Sequence, residues 1–93
     1  MNPGGHGTSQ VQQWGLAAIL ERFPEDDAAL QVLFQVSHHF QALCGDYQDG
    51  LNALKRWERS TTEEALAMCS MYTVLLQELE QEVREYLKPG MPS

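Results

Sequence analysis

His38 and His39, followed by Cys44, Asp46 and Asp49, form the densest run of side chains able to bind a metal or act as nucleophile and base. Their order fits that chemistry poorly. Adjacent histidines on a helix diverge by about 100°, too far to chelate one ion together. Cys44 and Asp46 are two positions apart and point in different directions. No cysteine/histidine set has the spacing of a structural zinc site. The Glu-x-x-His repeat of di-iron helical bundles is also missing, because Gln35 and Val36 stand three residues before the two histidines.

Cys44 paired with His38 or His39 would need an accessible, electropositive setting to serve as a nucleophile. Its place in the middle of an apolar stripe predicts a buried structural thiol instead. Cys69, beside Met68 and Tyr72, carries the same expectation. The two histidines are expected at the margin of a helical seam. No residue is assigned as catalytic, cofactor-binding or metal-ligating, and no cofactor is expected. The alternative is a small metal- or redox-handling protein that uses His38 or His39 with Cys44 across helices or subunits.

Glu78, Glu80, Glu82 and Glu85 crowd the last helical segment, with Glu63 and Glu64 at its beginning. Glu80 and Arg84 have the spacing of a helical ion pair, whereas Glu78 and Glu82 repel over the same interval. The pattern suits a solvated face or a surface for a basic partner. Lysine and arginine number 6 against 13 acidic residues, for a net charge of -7. That balance argues against nucleic acid as a partner. Lys55, Arg56 and Arg59 are the exception, and they fall where cations favour a helix C-terminus. The first residues show no basic segment leading into an apolar one, and no apolar run approaches the roughly 20 residues of a membrane-spanning helix. A cytoplasmic protein without membrane contact is the expectation.

The elements that would position these residues are helical. Residues 1–7 are expected to be a flexible tail, 8–88 a single helical domain and 89–93 a second tail. Thr8 or Ser9, with Gln12 beyond, can cap a first short helix carrying Val11, Trp14, Ala18 and Ile19, which Pro24 ends at Phe23. Pro24, Glu25, Asp26 and Asp27 then read as the start of a second helix. From Leu33 the positions Val36, Phe40, Leu43, Cys44, Tyr47, Leu51, Leu54 and Trp57 recur at helical intervals and predict one long helix over about 25–58, with Gly45 as the place for any break. Ser60 to Glu63 and Thr61 to Glu64 form two overlapping capping boxes. A stripe from Ala65 through Met68, Tyr72, Leu75, Leu76, Leu79, Val83 and Tyr86 to Leu87 follows them, and Pro89 and Gly90 stop it.

The short link between the stripes predicts an all-α fold: a long antiparallel helical hairpin with a short N-terminal helix. Its expected register sets Trp57 by Ala65 to Met68, Tyr47 by Tyr72 and Leu76, and Phe40 by Leu79 and Val83. Phe40, Tyr47, Leu51, Leu54, Leu76 and Leu79 form the predicted seam. A lone hairpin leaves apolar width uncovered, so a homodimer assembling into a helical bundle is expected. The corresponding function is a non-enzymatic protein-interaction or regulatory module. A protein partner would bind at an interhelical groove or the acidic face.

Overall fold

The computed structural model describes residues 9–88, so the two tails expected at 1–7 and 89–93 lie outside the described residues. Within that range the chain is all-helical: α1 (Gln10–Arg22), a single 3-10 turn (Pro24–Asp26), α2 (Asp27–Val36), α3 (His38–Glu58) and α4 (Ala65–Leu87). The chain divides into two compact units, with the boundary inside α3 after Gln48.

In the first unit, α1 starts with a complete capping box. Ser9 Oγ accepts from the Gln12 amide at 3.1 Å, and the Ser9 amide donates to Gln12 Oε1 at 3.3 Å. The helix ends where Pro24 excludes helical geometry at Phe23, whose φ of -130° and ψ of 61° lie outside the α region. α1 packs against α2 and the intervening turn. Ile19, Leu30, Phe34, Phe40, Leu43, Cys44 and Tyr47 are the buried side chains of this unit.

Gly15 sets how closely α1 approaches α3. A Cβ built on it would lie 1.8 Å from the Cys44 carbonyl oxygen and 2.5 Å from the carbonyl carbon. Only a glycine lets the two backbones meet there, with a Cα hydrogen directed at the carbonyl. The helix-propensity cost of a glycine at this position is therefore offset by packing.

The single helix expected over 25–58 is two helices, and the break falls at Ser37 rather than Gly45. Ser37 closes one helix and opens the next. Its amide donates to the Leu33 carbonyl at 2.9 Å, while its backbone is extended at φ -120°, ψ 113°. Its Oγ accepts from the Phe40 amide at 3.0 Å, and its carbonyl accepts from the Gln41 amide at 3.0 Å. Gln41 Nε2 reaches back to the Phe34 carbonyl at 2.6 Å, which satisfies an acceptor released by the break.

The physical cause lies in the apolar phase. Leu30 and Phe34 share one face, and the next positions on that face are Ser37 and His38. Phe40 would sit roughly 120° from Phe34 on an unbroken helix, so burying both requires the chain to turn. Leu33 and Val36, the residues that made the stripe look continuous, are respectively half-buried and 70% exposed. Gly45 stays helical, its added Cβ meeting only the Gln12 side chain, with Cγ at 3.2 Å.

The second unit holds the C-terminal part of α3, its link and α4. Lys55 and Arg56 occupy the last turn of α3, as their charge favours. The Ser60 amide closes that end on the Trp57 carbonyl at 3.0 Å. Neither expected capping box forms. Ser60 Oγ instead accepts from the Thr62 amide at 3.2 Å and lies 3.0 Å from Thr62 Oγ1, a local turn that competes with helix initiation. α4 consequently starts at Ala65, with Glu64 at its N-cap and no side-chain cap.

Ala65, Leu76, Leu79 and Val83 are buried on α4. Leu51 and Leu54, also placed in the seam by the sequence, are half-buried. A Cβ on Gly50 would stand 2.9 Å from Leu76 Cδ2, so α3 and α4 make van der Waals contact at this point. The Lys88 amide donates to the Glu85 carbonyl at 3.3 Å at the end of α4.

Candidate functional site

Among the described residues, the side chains with chemical potential differ in setting. His38 and His39 occupy the first turn of α3 and are exposed, whereas Cys44 is fully buried on the same helix. Burial without a charged neighbour pushes the Cys44 thiol up to about 12, which suppresses the thiolate at neutral pH. Asp46 and Asp49 are exposed, and Cys69 is half-buried; both cysteines are free thiols. Among the described residues no three histidine, cysteine, aspartate or glutamate side chains are placed to hold a metal ion. No described helix is long and apolar enough to cross a membrane.

What the structure presents instead is surface. α2 carries Ala28, Ala29, Gln31, Val32, Gln35 and Val36 on its exposed side, with Val32 60% and Val36 70% accessible. Its only charged residue is Asp27, whose Oδ1 accepts from Gln31 Nε2 at 2.6 Å. Ala28, Val32 and Val36 follow at four-residue intervals and form one column along the helix.

α4 presents a second exposed face of different character. Between Ala65 and Gln77 it has no charged residue, and Leu66 (84%), Met71 (50%), Val74 (50%) and Leu75 (37%) are exposed. Beyond Gln77 the same side of the helix bears Glu78, Glu82 and Glu85, all exposed. Glu85 is engaged by its own helix, with Lys88 Nζ at 3.3 Å and Gln81 Nε2 at 3.3 Å. Glu80, grouped with the other glutamates in the sequence, is buried.

Several positions of the apolar stripes are therefore on the surface: Val36, Leu75, Tyr86 at 37%, and Trp14 at 52%. Neither exposed face stood out from periodicity, since Val32 and Val74 were absent from both stripes. Their signal was compositional: β-branched side chains at helical positions that the buried stripe does not use.

No family model, curated protein or solved structure matches the chain.

Proposed function

We propose that the chain is a non-enzymatic helical module for protein interaction or regulation, and that it forms a homodimer through the exposed face of α2. The observation that carries this reading is the neutral column Ala28, Val32, Val36. Valine is less favourable than alanine, glutamate or lysine at a solvated helix position, so this face gains nothing from its side chains in isolation. A second copy would cover them without bringing like charges together, despite the net charge of -7 on each chain. An isologous contact between two such faces builds a helical bundle. The antiparallel α3–α4 hairpin belongs to the same proposal, supported by the short link after Glu58 and the approach of Gly50 to Leu76. The buried, desolvated setting of Cys44 supports a structural role for that thiol in place of a nucleophilic one.

Multi-angle light scattering of the native chain over a concentration series tests the dimer. The expected result is a dimer mass, a Tm that rises with concentration, and a monomer after Val32→Glu with Val36→Glu. A monomer mass across the series with a constant Tm overturns self-association through α2. Turnover of a small molecule by the purified chain would overturn the non-enzymatic assignment.

A further inference from the structure

Ala67, Met71, Val74, Glu78, Gln81 and Glu85 follow one another at alternating four- and three-residue intervals along α4, and every one of them is exposed. This is the spacing of a coiled-coil seam, the line along which a helix meets a single partner helix. The line is apolar in its first half and acidic in its second. We infer that α4 docks an amphipathic helix of another protein, one whose apolar seam covers Ala67, Met71 and Val74 and whose lysine or arginine residues lie over Glu78 and Glu82. The inference rests on the interaction reading but is independent of the α2 dimer.

Charge excludes a second copy as the occupant of this face. In a parallel pairing, Glu78 would face Glu78 and Glu85 would face Glu85. An antiparallel pairing centred between Met71 and Val74 would press each Glu78 against Ala67 of the other copy, next to Glu63 and Glu64. Both arrangements bring Glu78 into the contact without a counter-charge. The chain's own nearby cations reach the end of this line: Lys88 pairs with Glu85, and Arg84 Nη1 donates to Gln81 Oε1 at 3.4 Å. Glu78 and Glu82, one turn apart, repel each other until a cation from outside arrives. The apolar half supplies contact area and the acidic half sets direction and partner sign, as flanking charges do in coiled-coil pairing.

The test titrates three synthetic peptides into the full chain and follows fluorescence anisotropy. One has a leucine seam with lysines placed to meet Glu78 and Glu82. The second replaces those lysines with glutamate. The third has the composition of the first in scrambled order. The expected result is binding of the lysine peptide at least about tenfold tighter than either of the others. Glu78→Lys with Glu82→Lys should invert the preference between the first two peptides, and Val74→Asp should abolish binding while the far-UV circular dichroism stays helical. Equal binding of the scrambled peptide would reduce the effect to bulk charge attraction and overturn the inference. Failure of all three peptides, or a native dimer dissociated by Val74→Asp and not by the α2 valine substitutions, would also overturn it. Loss of the α2 dimer with retention of lysine-peptide binding would refute the dimer alone.

Discussion

Replacing Gly15 by alanine is the most discriminating perturbation of this fold, because the added methyl group would collide with backbone. Ordinary contact needs a separation of roughly 3.5 Å, and the Cβ would lie 1.8 Å from the Cys44 oxygen. No rotamer relieves that clash, so α1 must shift away from α3 by more than an ångström. The shift opens the packing around Ile19, which has no exposed surface in the native chain. Overpacking of this kind costs about 1–3 kcal/mol and occasionally more, against a helix-propensity gain of about 1 kcal/mol for removing the glycine.

Because this clash is with backbone, a net loss of about 2 kcal/mol is expected for Gly15→Ala, equivalent to a Tm decrease of roughly 8–16 °C for a domain of this size. Gly50→Ala places its Cβ 2.9 Å from the end of the Leu76 side chain, which can turn aside, and should change stability by less than about 1 kcal/mol. Gly45→Ala meets only the flexible Gln12 side chain, with Cγ at 3.2 Å, and should stabilise by about 0.5 kcal/mol. Urea denaturation of the three variants measures the order. Hydrogen exchange of the α1 amides locates the loss in Gly15→Ala. If Gly15→Ala proves as stable as Gly45→Ala, the close approach of α1 to α3 is wrong.

Ser37→Ala removes the side-chain acceptor for the Phe40 amide and should lower stability by about 1 kcal/mol, with faster exchange of that amide; Ser9→Ala should cost a similar amount and speed exchange at Gln12. An unchanged Phe40 exchange rate would remove Ser37 from the capping role. The Cys44 thiol should resist alkylation in the native chain at neutral pH and react once urea is added, whereas a native rate equal to the unfolded rate would contradict its burial. The pH dependence has a defined sign. The folded thiol titrates at about 12 against an ordinary value of 9.0, so the unfolded state loses its proton first. Cys44 therefore leaves stability unaffected below pH 9.0 and lowers it progressively between 9.0 and about 12, and Cys44→Ala should remove that component of the decline.

The helical class and the start of α1 were legible because they depend on local signals: the Ser9 and Gln12 pair and the proline after Phe23. Burial of Phe40, Leu43, Cys44, Tyr47, Leu76, Leu79 and Val83 was legible from periodicity. The break at Ser37 was not, because two apolar phases overlap. The run Leu33, Val36, Phe40 mimics one continuous stripe, while the residues that bury themselves in α2 are Leu30 and Phe34. Ser60 and Thr61 misled for a related reason. A serine or threonine hydroxyl can close a turn as readily as cap a helix, and Ser60 closes a turn on Thr62. The exposed faces were hidden because a periodicity search ranks residues by whether they extend a stripe. Val32 and Val74 extend neither buried stripe.

Local costs in this chain fall into two groups, distinguished by where their compensation lies. Gly15 is a poor helix residue, and the contact it allows with the Cys44 backbone offsets that cost inside the chain. Ser37 interrupts a helix, and its hydroxyl, carbonyl and amide all find partners at once. Val32, Val36 and Val74 are also unfavourable choices at exposed helical positions, and half or more of each side chain remains in water. Local rules broken without compensation within the fold mark the places where selection acts on something other than the isolated fold. The two faces then differ by charge. On the proposed reading the uncharged α2 column meets its own copy, whereas the α4 seam, with Glu78 in it and Glu82 beside it, meets a partner of opposite sign.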